Sequence, residues 1–314
     1  MTNNLEIPSQ VNMEKIKCAS CGTFNQVPFL KSVDRITNLP GLFTIVKCSN
    51  CSLQYLSPRP SKDSIGYYYP DDYQPFTETS VADKTPKKDP WYSFLKPAFK
   101  KIPYLKPGHL LEIGAASGNY LVKMQNLGWK VKGVEFSDFA ASNARNHGID
   151  VETGQIEDLH FPAKSFDLIV GWMVIEHLHD PNSFFKNAKS CIKDDGFLVL
   201  STPDCNSISR KIFGEYCYDL HLPAHLYHFT PKTITDVLNK NGWEVDRIFW
   251  QNNAMTFLNS SKIWAKENHK KFLLIFIDLV IKSSIFLPIK YFLHFILGIT
   301  RQSGRMIVWA RPIN

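Results

Sequence analysis

The sequence predicts an α/β fold with an open parallel sheet, preceded by a cysteine-containing segment and interrupted near its end by an apolar insertion. Between residues 106 and 252, strand-like apolar runs alternate with helix-like segments, as they do in sheets of this kind. Two cysteine pairs lie within residues 1–58, and two strongly apolar runs lie within residues 253–304. The chain of 314 residues, 44% of them hydrophobic, is long enough for two domains.

Composition excludes several classes of protein. The 16 Gly, 19 Pro and 21% charged residues are close to ordinary usage, which excludes collagen-like, coiled-coil and largely disordered chains. Seven cysteines, four of them in two tight pairs, are untypical of a secreted disulfide scaffold and favour a reducing compartment. Residues 1–17 resemble neither a secretory signal nor a transit peptide. We therefore expect a cytoplasmic protein.

The two cysteine pairs predict a structural Zn²⁺ site in a zinc ribbon over residues 1–58. Cys18 and Cys21 form one pair, after a short strand-like run at 15–17, and Cys48 and Cys51 form the other, after a strand-like run at 43–47. Thiolates two positions apart on a tight turn converge on one tetrahedral ion, and four protein ligands leave no position for water. The 26 residues between the pairs exceed the usual spacing in compact ribbons, so an unmetallated remnant and a redox pair stay open as alternatives.

Residues 59–105 are rich in Pro, Tyr and Lys and are interpreted as a linker. The tyrosines within residues 66–73 either pack on a neighbouring domain or touch the substrate. The domain that follows, residues 106–314, starts with a predicted strand at 109–113, the turn Gly114-Ala-Ala-Ser-Gly118 and a helix at 119–127.

A second predicted strand, 130–135, ends in an acid and is followed by a helix at 138–146. Further strands are predicted at 166–172, 196–201, 243–250 and 305–311. In open parallel sheets, ligands bind beyond the carboxyl ends of the strands, where the glycine turn and Glu135 lie. A carboxylate 21 residues after Gly114 can bind both hydroxyls of a ribose, a pattern that also suits NAD.

Four motifs in order resemble those of the class I S-adenosylmethionine-dependent methyltransferases. They are Glu112-Ile-Gly114-Ala-Ala116-Ser-Gly118, the segment 154–159, the segment 165–181 and the segment 192–203. Ala116 replaces a common glycine, and Gln155 stands where Asp is usual. The resemblance covers residues 106–250 and, less firmly, the last strand. It implies a Rossmann-like, seven-stranded methyltransferase sheet that binds S-adenosyl-L-methionine.

The resemblance also implies which residues bind this cofactor. Glu135 would hold the ribose hydroxyls, Phe136 and Ile156 would sandwich the adenine, and Gln155 or Glu157 would bond the adenine edge. The full expected set is Glu112, Gly114, Ala115, Ala116, Gly118, Glu135, Phe136, Gln155, Ile156, Glu157 and Trp172.

Methyl transfer from an activated sulfonium depends largely on positioning, but a hydroxyl acceptor must lose its proton, and histidine is a common proton acceptor. Five histidines compete for this role: His177, His179, His221, His225 and His228. We expect His177 and His225 to be catalytic, with a packed or solvated imidazole as the alternative for each. Some relatives bind a metal through Glu-x-x-Glu-His at this position; Met173 replaces the first Glu, which disfavours a catalytic metal.

Residues 253–304 are predicted to form an apolar helical insertion before the last strand. Its apolar runs at 272–281 and 291–297, divided by Pro288, predict a two-helix hairpin with one polar stripe of Asp278, Lys282, Lys290 and His294. The longest stretch without a charged residue is ten residues, below the roughly 20 that a spanning helix needs. Residues 260–314 carry the whole net charge of +7. Two roles stay open: a substrate lid, and peripheral contact of residues 272–299 with the inner membrane face.

The functional prediction is an O-methyltransferase acting on a sugar hydroxyl, in a small-molecule or lipid-linked saccharide acceptor of cell-surface polysaccharide biosynthesis. The ribbon, the tyrosine-rich linker and the segment 221–230 together resemble that bacterial group. The alternatives are a quinone-type or other small-molecule methyltransferase, a sugar C-methyltransferase and a non-catalytic zinc-ribbon adaptor. Residues 1–58 have five basic and three acidic residues, so they lack the marked positive charge of a nucleic-acid-binding segment. We therefore expect no nucleic-acid partner.

Overall fold

The computed structural model describes residues 5–69, 100–155, 157–158 and 161–313. Its main sheet has seven strands in the order β12-β13-β10-β9-β6-β7-β8, in which β13 is antiparallel to both of its neighbours and the other pairs are parallel. The strands are β6 (His109–Ile113), β7 (Lys130–Glu135), β8 (Val151–Thr153), β9 (Phe166–Trp172), β10 (Ile192–Pro203), β12 (Trp243–Trp250) and β13 (Arg305–Pro312). The predicted fold class is confirmed.

Helices connect these strands, and their limits follow from local sequence. The helices are α1 (Asn119–Asn126), α2 (Asp138–Asn146), α3 (Pro181–Cys191), α4 (Ile208–Phe213), α5 (Pro231–Lys240), α6 (Met255–Glu267), α7 (Lys271–Lys282) and α8 (Leu287–Ile299). The Ser137 side chain caps α2 by accepting from the Ala140 amide. Thr230 and Thr233 form a capping box ahead of α5, with Pro231 as its first residue.

The N-terminal segment forms an antiparallel sheet that includes a strand from the other half of the chain. Its strands are β2 (Gln26–Val33), β3 (Leu42–Cys48), β4 (Gln54–Leu56) and β11 (Tyr227–His228), in the order β11-β4-β3-β2. A short pair, β1 (Met13–Glu14) and β5 (Arg59–Pro60), lies beside it. The predicted strand at 43–47 is therefore found within β3, whereas the one at 15–17 is wrong because the paired residues are 13 and 14.

One buried core runs from the N-terminal segment into the main sheet. Phe43 and Tyr55 of the small sheet belong to the same cluster of buried side chains as Ile113 and Leu200 of the large one. The central strands β6, β9 and β10 are buried on both faces, which explains their continuous apolar runs. The domain boundary near residue 58 stays a prediction.

The insertion between β12 and β13 contains three helices, α6 to α8, where a two-helix hairpin was predicted. Within the described residues, no single helix is long and apolar enough to cross a membrane; residues 271–282 and 284–299 pass that test only as a pair, bent by 78°. The amide of Gln251 donates to the carbonyl of Arg305 at 3.0 Å, which closes the base of the insertion.

Candidate active site

The turn between β6 and α1 is tightly curled because three of its residues have positive φ. Gly114 has φ +66°, Ala116 +47° and Gly118, the N-cap of α1, +77°. A Cβ on Gly114 would lie 2.5 Å from a methyl group of Val174, and one on Gly118 would lie 2.9 Å from the Ala144 Cβ. Glycine is therefore required at 114 and 118 by conformation and by close approach. Ala116 adopts the same left-handed region at a cost of about 1 kcal/mol.

Glu135, at the end of β7, fastens this turn to the neighbouring strand. Its Oε2 accepts from the Ala116 amide at 2.8 Å, and its Oε1 accepts from the Ser137 amide at 2.9 Å. Burial raises the pKa of this carboxyl, and the backbone amides of Ser137, Ala116 and Phe136 oppose the change. Each carboxylate oxygen has a second lone pair, so the group can still accept from two ribose hydroxyls.

Glu112 is a second buried acid beside the turn, 2% exposed. Burial raises its pKa to about 8, although the Lys100 ammonium, 3.8 Å from Oε1, acts in the opposite direction. The same ammonium lies over the rings of Tyr120 and Trp172, 4.6 and 5.6 Å from their centroids. A cation and a mostly protonated carboxyl therefore face one end of the cavity.

A cavity of about 1010 Å³ lies at the carboxyl ends of the parallel strands. Nine of the expected cofactor residues line it: Glu112, Gly114, Ala115, Ala116, Glu135, Phe136, Gln155, Glu157 and Trp172. Gly118, the N-cap of α1, does not line the cavity, and Ile156 lies outside the described residues. The cofactor roles of these residues stay predictions, but their common placement agrees with one ligand.

Four of the five candidate histidines line the same cavity, and three of them are packed together. The ring centroids of His177 and His225 are 4.6 Å apart, and those of His221 and His225 are 4.9 Å apart. His179 also lines the cavity, whereas His228 lines a separate, much smaller one.

A hydrogen bond fixes the tautomer of His225, one of the two predicted catalytic histidines. Its Nδ1 is 2.9 Å from the Asp219 carbonyl and must donate to it, which leaves Nε2 as the acceptor. The Nδ1 of His177 lies 2.8 Å from the Tyr69 hydroxyl, with which it shares a hydrogen bond. Tyr69 therefore connects the N-terminal segment to the histidine cluster.

Burial keeps these imidazoles neutral. It lowers the pKa of His177 to about 3 and that of His221 to about 4, and it lowers the pKa of His225 well below 6.5. The nearness of the rings adds to the effect, because a charge on one disfavours a charge on the next. At neutral pH the cluster offers lone pairs rather than positive charge.

Glu176 joins this cluster as a candidate metal ligand. One donor atom from each of Glu176, His177 and His225 lies within 4.8 Å of the others. Glu176 is fully buried, burial raises its pKa to about 8, and neither carboxylate oxygen makes a hydrogen bond of normal geometry within the described part of the chain. This set of one oxygen and two nitrogen donors fits a divalent cation, although Met173 supplies no carboxylate. A bound cation would polarise an acceptor hydroxyl.

The N-terminal segment supplies part of the cavity wall, a contribution that sequence reasoning missed. Ile36, Thr37, Leu39 and Ile65 line the cavity together with Tyr69. The buried Asp34 shapes this wall by accepting from the backbone amides of residues 36, 37 and 39. Asp commonly starts an Asx turn, in which its carboxylate accepts from backbone amides that follow it. Asp34 itself was therefore the signal that the sequence offered. Tyr218, Asp219, Gln251 and Arg305 were also missed.

The tyrosine cluster divides between the two predicted roles. Tyr68 is buried, and its hydroxyl donates to the Pro40 carbonyl at 3.1 Å, so this residue packs. Tyr69 faces the cavity, and Tyr67 is exposed. Residues 70–73 lie outside the described residues.

The four predicted zinc ligands meet at one point. The Sγ atoms of Cys18, Cys21, Cys48 and Cys51 all lie within 4.8 Å of one another. Two of the contacts, Cys18 to Cys51 and Cys21 to Cys48, are 3.4 Å long. Around a tetrahedral Zn²⁺ with Zn–S bonds of about 2.3 Å, the distances between sulfurs are similar to those found here. The cluster therefore fits such an ion.

A sheet of this strand order, with a glycine-bounded turn after one central strand and an acid at the end of the next, defines the class I S-adenosylmethionine-dependent methyltransferases. Residues 89–248, about half of the chain, match the profile of a family described as "Methyltransferase domain". The chain belongs to this family.

Curated relatives match the central part of the chain. A ubiquinone biosynthesis O-methyltransferase of Coxiella burnetii is 30% identical over 138 residues, which cover 42% of this chain and 56% of that protein. The enzyme of the same name from Cereibacter sphaeroides is 29% identical over 151 residues, covering 44% and 61%. A probable S-adenosylmethionine-dependent methyltransferase of Mycolicibacterium smegmatis is 23% identical over 159 residues, covering 50% and 60%. The matches thus span less than two thirds of each of these relatives.

Solved structures with a similar shape include a Mesorhizobium loti S-adenosylmethionine-dependent methyltransferase, 15% identical, with a TM-score of 0.45 and coverage of 70% of this chain and 95% of that one. Another is the geranyl diphosphate C-methyltransferase of Streptomyces coelicolor, 11% identical, with a TM-score of 0.45 and coverage of 65% and 73%.

Proposed function

We propose that the protein transfers the methyl group of S-adenosyl-L-methionine to a hydroxyl group of a small-molecule acceptor. The observation that carries this proposal is the single cavity lined both by the glycine turn with Glu135 and by the histidine cluster. In the reaction, an O–CH₃ bond forms as the S–CH₃ bond breaks, S-adenosylhomocysteine leaves and the hydroxyl proton passes to the protein. Holding the two reactants in line supplies much of the rate.

The acceptor proton has two candidate recipients in this cavity. The Nε2 of His225 is the lone pair that its hydrogen bond to Asp219 leaves available. The Tyr69 hydroxyl can take the proton while passing its own to Nδ1 of His177, 2.8 Å away. Both histidines have strongly lowered pKa values, so either is a weak base at first. Transfer becomes favourable only as the new O–C bond makes the hydroxyl acidic.

For the acceptor, the names of the relatives favour the quinone-type alternative over a sugar. Ile36, Leu39 and Ile65 add apolar side chains to the cavity that the histidines also line, a combination that suits a flat ring carrying a hydroxyl. A saccharide acceptor remains the second candidate. It is favoured by the buried Asp219 and the half-buried Arg305, whose carboxylate oxygen and guanidinium nitrogen are 3.8 Å apart at the cavity wall.

We further propose that the four cysteines bind a structural Zn²⁺. The close approach of the four sulfurs supports this proposal. The cysteine site is also tied to the methyltransferase half of the chain, because Asn182 and Lys240 both donate to the carbonyl of Ala19, between the first two cysteines. The ion would thereby stiffen the segment that carries Ile36, Leu39 and Tyr69.

Calorimetric titration with S-adenosyl-L-methionine, combined with metal analysis of the same sample, tests these proposals first. We expect micromolar binding and one zinc per chain. Gly114→Arg should abolish binding, because even a Cβ there overlaps Val174; unchanged affinity would contradict the placement of the cofactor. A second metal that is lost in a Glu176→Gln variant would identify the histidine cluster as a metal site.

Methyl transfer is then screened with two acceptor sets, hydroxylated aromatic rings carrying isoprenoid tails and nucleotide-linked or lipid-linked saccharides. Formation of S-adenosylhomocysteine with the aromatic set supports the first acceptor, and formation with the saccharides alone supports the second. Cofactor binding without turnover in either set would contradict both acceptor proposals.

A further inference from the structure

The insertion turns most of its polar stripe inward. Lys290 is 9% exposed, and its Nζ donates to the Ile281 carbonyl at 2.9 Å. His294 is 5% exposed, and its Nδ1 accepts from the Ala254 amide at 2.7 Å. Asp278 pairs with Lys262 of α6 at 2.6 Å. Lys290 and His294 are therefore bonded inside the protein, Asp278 is half-buried in its ion pair, and Lys282 is the exposed member of the stripe.

The outward side of α7, α8 and the bend between them is apolar as a result. Phe272 is 91% exposed and Ile285 78% exposed. This apolar face consists of Phe272, Leu273, Ile275, Phe276, Leu279, Ile285, Ile289, Phe292 and Ile299. Single exposed apolar residues are normal on a protein surface, whereas nine exposed large apolar side chains within residues 272–299 mark an interaction site.

Exposed basic residues lie near the ends of the two helices that carry the apolar face. They are Lys266, Lys270, Lys271, Lys282 and Arg301. Within the described segment 255–301, Glu267 is the exposed acid and Asp278 is paired. An apolar face bordered by cations is complementary to a surface that is apolar beneath a layer of negative charge.

We propose that the α7–α8 hairpin docks on an anionic lipid bilayer, with its apolar face in the boundary between headgroups and acyl chains and its flanking lysines on the headgroups. Each helix is only 12 or 13 residues long, about 18 to 20 Å, against a hydrocarbon core of about 30 Å. The 78° bend prevents the two from acting as one straight span. Lying in the interface suits both the lengths and the bend.

Charge favours lipid over a second copy of the chain. A symmetric dimer would place the same cations of both copies around one shared interface, where they would repel each other. An anionic bilayer neutralises them instead, each basic side chain near the surface adding to the attraction.

The docking surface is joined to the active-site cavity through the base of the insertion. The chain leaves β12 at Gln251 and enters β13 at Arg305, and both residues line the cavity. No residue of the described insertion, 253–304, lines it, so the hairpin is not the cavity wall that a substrate lid would form.

The test is co-sedimentation of the full-length protein with vesicles of phosphatidylcholine, with and without phosphatidylglycerol. Ile289→Glu is compared with Ile212→Glu, because these isoleucines are exposed to a similar extent, 61% and 58%, and Ile212 lies outside the hairpin, in α4. We expect the parent and Ile212→Glu to bind the anionic vesicles equally, and Ile289→Glu to bind at least about tenfold more weakly. Binding should also weaken as salt is raised.

Several results would overturn the proposal: no binding of the parent, equal binding of Ile289→Glu, or an equal loss in Ile212→Glu. Light scattering without vesicles tests whether a second copy of the chain covers the face instead. If the parent does not bind vesicles but forms a dimer that Ile289→Glu dissociates, the face is a self-association surface. Urea unfolding and calorimetry with S-adenosyl-L-methionine show that each variant is folded. Because cofactor binding is measured separately, failure of docking leaves the proposed reaction unaffected.

Discussion

Gly118 and Gly148 provide a matched pair for measuring how tightly the turn between β6 and α1 is packed. Both have φ +77°, so alanine suffers the same conformational strain at either position. At 148, a new Cβ meets nothing within 4 Å; at 118, it lies 2.9 Å from the Ala144 Cβ. Ala144 is fully buried on α2 and cannot move aside without shifting that helix.

The expected magnitudes follow from these two terms. Left-handed strain alone should cost Gly148→Ala about 1 to 2 kcal/mol of unfolding free energy. Gly118→Ala should lose about 1 to 3 kcal/mol more, because overpacking is added to the strain. Urea denaturation of both variants measures the difference, and calorimetry should show weaker S-adenosyl-L-methionine binding for Gly118→Ala only. Equal losses of stability in the two variants would refute the close approach of α1 and α2.

Three further predictions test other parts of the site. Cys18→Ser should release zinc and lower the thermal stability of the N-terminal segment while cofactor binding persists, and zinc content equal to that of the parent would contradict the four-cysteine site. Burial raises the pKa of Glu112 from 4.5 to about 8, so the folded protein retains a proton there that the unfolded chain loses, and the resulting stabilisation disappears as pH rises from 4.5 through 8. Relative to Glu112→Gln, the unfolding free energy of the parent should fall by up to about 1.4 kcal/mol per pH unit across this window. Urea denaturation at pH 5 to 8 measures this difference, and a parent and variant whose unfolding free energies change in parallel with pH would show that the pKa of the carboxyl is not perturbed. Tyr69→Phe should lower kcat about tenfold or more with unchanged cofactor affinity, whereas Tyr67→Phe, an exposed neighbour, should leave kcat unchanged; equal kcat in both variants would remove Tyr69 from the proton path.

Local pattern was sufficient for much of the catalytic domain. The strand before Gly114, the helix starting at Asn119 and the helix over 138–146 are all found where the sequence predicts them. These features depend on period and on turn residues, which neighbours along the chain determine. The cysteine pairs could be read for the same reason, since two-residue spacing already brings two sulfurs together.

The predictions about acceptor and insertion were less complete. The sugar acceptor rested on resemblance in the N-terminal segment, the linker and residues 221–230, whereas two of the relatives are named ubiquinone biosynthesis O-methyltransferases. The stripe of Asp278, Lys290 and His294 was recognised as one side of a hairpin, but its pattern alone could not say whether that side faces water or protein.

The sequence by itself determined the central strands and helices around the turn 114–118, that turn and the grouping of the cysteines, because each depends on residues close together in the chain. The tertiary structure alone decided that β11 joins the N-terminal sheet, that Tyr69 meets His177 across 108 positions and that the hairpin turns its apolar face outward. These features depend on pairings between distant segments, which form where the whole fold buries the most apolar surface and leaves the fewest polar groups unbonded.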